Sequence, residues 1–398
     1  MKVLVNAVSA KLGGAATYVR NLAAAVEANS APEDSFVFVV PPERAGEMAQ
    51  AARPVRILES RAASGSYARR WWWDQVTLRR IVAQERPDVL FSSANFGMMA
   101  CPCPQALLVR IPIYFSSEYC EHVLPAKSAA FRAETALRRW LVCRSVAGAD
   151  CVITPSAAMR DDLRRFARIP DDRLRVIPYG VPVERVAQFE PRLRQPGEPL
   201  RALWVSHYAD HKDLATLLRA VALLREAGRT PIQLLLTLEP LSGGTQRGQH
   251  TAMPAAEQEL LSALAGSVRC LGVLRYEQIW EAYRQADVFV FPSLCESFGH
   301  PLVEAMAAGL PVVASDIAVH REICGNAAEY FPVRDACALA ARLETLAGDS
   351  ALCARLARVG AVRVKNFLWE DHVSRLLALL RELSAARRTP AAVAANVA

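Results

Sequence analysis

The chain has 398 residues, which suggests two or three domains, and with 52% of them apolar and 22% charged the composition is that of an ordinary globular protein with ample material for cores. No apolar run approaches the roughly 18–20 residues of a membrane span, and Met1–Asn6 reads as a strand rather than a secretory leader, so integral membrane and secreted proteins are not expected. The net charge of +7 lies wholly in residues 1–185, with 25 Lys+Arg against 18 Asp+Glu, while residues 186–398 hold 22 of each; a basic half points to an anionic partner.

In chain order, strands alternate with helices. Apolar runs predict strands at Lys2–Ala7, Ser35–Val40, Pro54–Leu58, Val89–Phe91, Ala106–Val109 and Cys151–Thr154. Between them, helices are predicted at Thr17–Glu27, Trp71–Gln84, Ala129–Ala147 and, capped by Ser156, Ala157–Phe166. Val181–Leu200 carries Pro182, Pro191, Pro196 and Pro199 among charges and reads as a linker. The alternation restarts with strands at Ala202–Val205, Ile232–Thr237, Val268–Leu271, Asp287–Pro292 and Pro311–Ala314. The accompanying helices are Leu214–Glu226, Ala255–Ala265, Gln278–Gln285, Pro301–Ala308 and a closing one at His372–Leu383, with a polar loop at Leu241–Pro254. The reading is an α/β protein of two Rossmann-like, doubly wound domains. Its boundaries are 1–185 with a returning helix at about 370–388, then 198–368, then a disordered tail at 389–398.

The ten cysteines are scattered. Cys101 and Cys103 form C-x-C, which matches neither a zinc knuckle nor a C-x-x-C redox pair. Cys143, Cys151, Cys270 and Cys337 lie in apolar stretches and read as small buried hydrophobes. Reduced thiols suit a cytoplasmic protein.

The segment Phe291–Ser315 carries the chemistry. It reads as a strand, a polar loop, a short helix opened by Pro301, and a second strand after Gly309 and Pro311. The helix N-terminus then faces the carboxyl end of the strand, where free N–H groups suit an anion. Glu296 lies in the loop and Glu304 in the first helical turn by this reading. Glu304 alone reads equally well as favourable helix electrostatics, but two carboxylates beside such a terminus suit a polyhydroxylated, anionic ligand.

This segment resembles the signature of the retaining nucleotide-sugar glycosyltransferases of family 4, the glycosyl transferases group 1, with two glutamates separated by seven residues before Ala-Met-Ala-x-Gly-x-Pro-Val. The resemblance extends over nearly the whole chain. It implies the GT-B architecture, two Rossmann-like domains facing across a cleft, with the C-terminal helix crossing back to the first. It implies that Glu296 meets donor-sugar hydroxyls, that Glu304 holds the ribose, and that amides around Phe298, Gly299, Leu302 and Val303 face the sugar and diphosphate.

Further segments carry departures from the family pattern. In Trp204–Ala215, Lys212 matches the diphosphate-binding lysine, while Ser206 and His207 stand where Gly and Arg are usual. Gly13-Gly14 opens a helix after the first strand, and the resemblance places Gly14 on the donor diphosphate; unaided it is only a strand-to-helix turn. At the end of Leu107–Phe115, Arg110 stands nearest the family's histidine. An arginine stabilises negative charge but is no general base near neutral pH. The resemblance thus assigns catalytic roles to Glu296, Lys212 and Arg110, with His207 on the donor, no metal and no cofactor beyond the nucleoside diphosphate sugar itself.

The expected partners are that donor and a glycan or lipid-linked acceptor on the basic domain, with no nucleic acid. Arg69–Arg80, with its three tryptophans, and Arg132, Arg138, Arg139, Trp140 and Arg144 suit peripheral contact at the inner face of a membrane. Core packing of the tryptophans is the competing reading. The expected activity is hexosyl transfer in cell-envelope polysaccharide synthesis. A sugar-nucleotide epimerase, a phosphorylase or a non-catalytic nucleotide-sugar-binding protein on the same fold are the alternatives. Base, sugar and linkage are not specified by the sequence.

Overall fold

The computed structural model describes residues 1–10, 13–48, 54–60, 67–186, 194, 197–228, 230–238 and 253–386. The expected tail at 389–398 and all but the end of the predicted loop Leu241–Pro254 lie outside the described residues. The chain divides into two compact units. The first comprises Met1–Phe115, Pro125–Pro178 and the chain from Glu370; the second comprises Ser116–Leu124 and Tyr179–Trp369.

The first unit is built on β1 (Lys2–Asn6), β2 (Ser35–Val40), β3 (Val55–Glu59), β4 (Val89–Ser92), β5 (Gln105–Leu108), β6 (Cys151–Thr154) and β7 (Leu174–Val176). They form one seven-stranded sheet in the order β3-β2-β1-β4-β5-β6-β7. All pairings are parallel, with Leu4 opposite Val37 on one side and Leu90 on the other. Strands such as Ser35-Phe-Val-Phe-Val-Val40 are apolar throughout because helices cover both faces of a parallel sheet. Trp73 from the helix Tyr67–Glu85 packs with Leu4, Val37, Leu78 and Leu90 in one core.

The second unit repeats the plan with β8 (Leu200–Trp204), β9 (Ile232–Leu236), β10 (Val268–Cys270), β11 (Val288–Phe291), β12 (Val312–Ser315) and β13 (Ala328–Phe331). The order is β10-β9-β8-β11-β12-β13, again wholly parallel. Its core joins Leu217, Leu218 and Val221 of the helix Leu214–Ala227 to Leu339, Leu343 and Leu346 of the helix Ala336–Gly348. Each fully buried leucine stabilises the unit by roughly 1.5–3 kcal/mol. In both sheets the strand order reverses once, between β1 and β4 and between β8 and β11. The crevice at such a reversal, outside the carboxyl ends of the strands, is where open α/β sheets bind ligands.

The sequence reading does not include β7, β13 or the helices between Ala318 and Arg363. β7 has three residues and β13 is half-buried at two of four, so neither makes a long apolar run. The helix His300–Ala307 starts one residue earlier than expected. Glu304 therefore sits beyond the first turn, and the N-cap is Gly299. Cys337 is exposed rather than buried, at the start of a helix whose leucines take the inner face.

The proline-rich stretch is not where the units divide. Val181 pairs with Leu368, its N–H reaching the Phe367 carbonyl at 3.0 Å while its own carbonyl accepts from Trp369 N–H at 2.9 Å. Entry and exit of the second unit are thus sewn together. Gly180 makes the seam possible, because a Cβ there would stand 2.4 Å from the Leu368 carbonyl carbon and 2.5 Å from the Phe367 oxygen. Both are backbone atoms and cannot swing aside. Gly180→Ala should destabilise the second unit by about 1–3 kcal/mol, read in calorimetry as a lowered melting temperature; an unchanged transition would show that the seam gives way freely.

Candidate active site

Two adjacent parallel strands, β8 and β11, end at the same edge of the second sheet, and each sends out one loop. The loop after β8 closes as a short turn, Asp210–Lys212, with the Lys212 N–H donating to the Ala209 carbonyl at 2.9 Å. Asp213 follows in the left-handed region at φ 46° and starts the next helix. The loop after β11 is pinned to it, the Leu294 N–H donating to the His211 carbonyl at 2.7 Å. The result is an ion pair between residues 84 apart: Lys212 Nζ donates to Glu296 Oε1 at 2.5 Å. The side chains are only 10% and 11% exposed. The ammonium also lies 5.3 Å from the centre of the Phe291 ring.

The electrostatics follow from this enclosure. Burial by itself would raise the Glu296 pKa, but the Lys212 charge and hydrogen bond outweigh it and the carboxyl is held below its ordinary range. The neighbouring histidines move the other way. Burial and the Lys212 charge push His211 down to about 3. Burial likewise brings His320 to about 4, with Glu296 opposing the shift. Both rings are neutral at physiological pH. His320 Nδ1 lies 2.9 Å from the Ser315 carbonyl, which can only accept, so Nδ1 carries the proton. Its Nε2 and the nearby Ser293 Oγ are buried without a hydrogen-bond partner among the described residues.

The turn between Glu296 and the following helix is set by aromatic packing and one glycine. Phe298, 1% exposed, meets Tyr179, His300 and Phe367 edge-on at 5.4–5.6 Å between ring centres. His300 stacks on Tyr179 at 4.8 Å. Gly299 turns the chain at φ 86° and ψ 59°, a conformation side chains resist. A Cβ there would also press to 2.9 Å from Leu302 Cδ1. Pro301 occupies the first turn, and the N-cap, being glycine, offers no side chain of its own to cap the helix. The Leu302 amide is engaged within the turn, donating to the Gly299 carbonyl at 3.0 Å. Leu302 and Val303 are fully buried, so only their backbone can face a ligand.

Glu304 sits one turn further on. Tyr283 Oη donates to its Oε2 at 3.0 Å and, more weakly, to the Pro301 carbonyl at 3.3 Å. Desolvation raises the Glu304 pKa to about 7, against the Tyr283 hydrogen bond. Sequence reasoning had no signal for Tyr283, His211, Ser293 or His320. Their roles arise from which strand ends and helix faces the topology places beside the two glutamates.

Of the expected residues, Lys212, Glu296, Phe298, Gly299, Leu302, Val303 and Glu304 cluster around the ends of β8 and β11. His207 belongs to the same β8 loop but is exposed. Gly14 and Arg110 belong to the first unit. A Cβ on Gly14 would be in ordinary contact with an Arg110 guanidinium nitrogen at 3.9 Å. Arg110 lies over the Tyr18 ring at 5.7 Å, and Asn95 Oδ1 accepts from its backbone N–H at 2.8 Å.

Comparison with known proteins identifies the family. The profile of the family described as Glycosyltransferase Family 4 matches residues 12–185, and that described as Glycosyl transferases group 1 matches residues 187–363. The chain belongs to glycosyltransferase family 4. Among family relatives, the D-inositol 3-phosphate glycosyltransferase of Streptomyces avermitilis is 32% identical over 239 residues, which is 58% of this chain and 51% of the relative. The phosphatidyl-myo-inositol mannosyltransferase of Mycolicibacterium smegmatis is 33% identical over 215 residues, 53% of this chain and 52% of the relative. The chain spans about half the length of the curated relatives it matches. The solved sucrose-phosphate synthase of Thermosynechococcus elongatus shares the fold, with a TM-score of 0.75 at 21% identity, over 97% of this chain and all of that one.

The Glu304 shift has a definite sign. Between pH 4.5 and about 7 the folded protein keeps a proton that the unfolded chain has lost. This group's contribution to stability is full below that window and declines as pH rises through it. Compared with Glu304→Gln, the wild type should lose on the order of 2–3 kcal/mol of relative stability between pH 5 and 8. Parallel pH profiles of the two proteins in denaturant titrations would contradict the assignment.

Proposed function

We propose that the protein is a retaining glycosyltransferase that moves a hexose from a nucleoside diphosphate sugar to a hydroxyl of a glycan or lipid-linked acceptor. The observation that carries this reading is the enclosed Lys212–Glu296 pair at the ends of β8 and β11, directly before a helix whose N-cap is a glycine. A nucleoside diphosphate sugar needs both halves of that arrangement. Its diphosphate calls for a fixed cation and free amide donors, and its sugar calls for a carboxylate that accepts from hydroxyls.

In this reading Lys212 and the helix N-terminus around Gly299 receive the diphosphate, with no metal required. Glu296 orients the sugar, and Glu304, once ionised, accepts from the ribose hydroxyls. The bond from the anomeric carbon to the phosphate oxygen breaks while the bond to the acceptor oxygen forms on the same face. The acceptor's proton passes to the departing phosphate, so no enzyme nucleophile is needed. Electrostatic stabilisation of the leaving group is then the main catalytic term. Arg110 belongs to the acceptor side, adding positive charge rather than basicity. The named relatives carry inositol phosphates in their names, and an anionic acceptor of that kind fits the basic first half of this chain.

The same reading places the protein peripherally at the cytoplasmic face of a membrane. No described helix is long and apolar enough to cross one. The surface that supports contact is the helix Ala129–Gly148, where Leu137 is 56% and Trp140 57% exposed, on one stripe with Ala133 and Arg144. In the other expected cluster Trp73 is fully buried, its Nε1 donating to Ser60, and Arg70 pairs with buried Asp74, so only Trp72 remains as an exposed tryptophan there.

Three measurements test these assignments. Nucleoside diphosphate sugars (UDP, GDP and ADP series) should raise the melting temperature, and labelled donor plus acceptor should give product with the donor's anomeric configuration. Lys212→Met should lower kcat by about 100–1000-fold, and Glu296→Gln should depress transfer far more than nucleotide affinity; turnover unchanged in both would remove the pair from the chemistry. Leu137→Ser/Trp140→Ser should weaken binding to phosphatidylglycerol vesicles several-fold while leaving binding of the free nucleotide intact, and equal vesicle binding would exclude this helix as the contact.

A further inference from the structure

The loop from β4 to β5 holds two thiols in contact. Cys101 Sγ and Cys103 Sγ are 3.7 Å apart. The backbone that brings them there is constrained from several sides. Ala100 turns the chain in the left-handed region at φ 48°, and Pro102 and Pro104 each fix one further dihedral. Arg79 donates to the Met99 and Ala100 carbonyls at 2.6 and 3.1 Å. Gln75 holds the Gly97 carbonyl and the Met99 N–H at 3.2 and 2.8 Å. Gln105 closes the far side, its N–H donating to Asp150 at 2.7 Å.

The two thiols differ in role. Cys101 is partly exposed, while Cys103 is 5% exposed. The Cys103 thiol and N–H hydrogen-bond to the Cys101 sulfur and, with the Arg79 charge, hold its pKa below the ordinary thiol range. Burial pushes the thiols of Cys143, Cys151, Cys270, Cys324 and Cys353 upward instead. A cavity of about 510 Å³ is lined by Cys103 together with Val82, Pro87, Pro102 and Ser384.

We propose that Cys101 and Cys103 form a redox-reactive dithiol that a small-molecule disulfide oxidises to an intramolecular disulfide. The Cys101 thiolate attacks one sulfur of the oxidant, forming a mixed disulfide and releasing one thiol. The Cys103 thiolate then attacks Cys101 Sγ and releases the second thiol, so two protein thiols and one disulfide become one protein disulfide and two small thiols. The loop geometry supplies the proximity that makes the second step intramolecular. The proposal does not depend on the glycosyl-transfer reading, and its test uses no substrate.

The test treats the full chain with excess oxidised glutathione, blocks remaining thiols with N-ethylmaleimide, and digests with trypsin. Cleavage after Arg80 and Arg110 releases a peptide holding Cys101 and Cys103 and no other cysteine, since Arg86 is followed by Pro87. The expected wild-type peptide is about 2 Da lighter than the reduced one, carries no glutathione or maleimide, and reverts with dithiothreitol. Cys103→Ser should stop at a Cys101–glutathione mixed disulfide, and Cys101→Ser should slow modification of Cys103 at least about tenfold. A wild-type peptide that keeps both thiols after exposed Cys337 has reacted, or that accumulates the mixed disulfide as Cys103→Ser does, overturns the proposal.

Discussion

The ion pair between Lys212 and Glu296 is the constraint on which the second unit's site depends. Two charges held about nine-tenths out of water carry a desolvation penalty of several kcal/mol each. The pair persists because its geometry is fixed from behind. The β8 and β11 backbones are hydrogen-bonded neighbours, Leu294 is tied to His211, and the Phe298 cluster prevents the glycine turn from drifting. Removing one partner would strand the other charge, so the two residues can change only together. Burial in the same enclosure sets the neighbours: His211 and His320 are kept neutral and available as hydrogen-bonding rather than ionic groups.

Bulk charge and site charge are separate quantities in this molecule. The excess of +7 lies in the first half of the chain, whereas the proposed donor site lies in the second. There Lys212 is matched by Glu296, and Glu304 carries a proton up to about pH 7. In the proposed reading, positive potential for a diphosphate comes from Lys212 once Glu296 is shared with sugar hydroxyls, and from the helix N-terminus at Gly299. Such short-range fixed dipoles act within one helical turn. A diffuse net charge acts over a Debye length of about 8 Å and mainly steers encounter. The basic half is therefore suited to gathering an anionic acceptor or lipid surface.

Fold class and the site's main residues were legible in the sequence because their signals are local. An apolar run bounded by polar turns marks a buried parallel strand, and Glu296, Pro301 and Gly309 lie within one strand–helix–strand segment. Lys212 was legible only through resemblance, since its partner is 84 positions away. Tyr283 and His320 were not legible at all. Tyr283 reads as one more aromatic in the predicted helix Gln278–Gln285, and His320 falls where no element is predicted; each acquires its role from a neighbour on a different element. The tryptophan cluster shows the opposite failure. Trp72 and Trp73 are adjacent in sequence, but one is 56% exposed and the other fully buried. Local composition cannot assign a residue to the inner or outer face of a helix until the sheet beneath is known.

The two units show why topology alone does not assign the donor. Both sheets are parallel and both reverse strand order once, so each offers a crevice at the carboxyl ends of its central strands. In the first unit the end of β1 carries a buried polar network. Asn6, at the end of β1, donates to Asp74, its carbonyl accepts from Ser93, and Arg70 neutralises Asp74 with two hydrogen bonds at 2.8 and 3.1 Å. Burial still raises the Asp74 pKa despite Arg70, as expected where the group serves packing. In the second unit the equivalent strand ends carry Lys212 and Glu296, whose pairing leaves Glu296 below its ordinary pKa and thus ready to accept from hydroxyls. The fold is the same, but one set of strand ends carries a structural network around Asp74 and the other carries charges that a polyhydroxylated anion can engage.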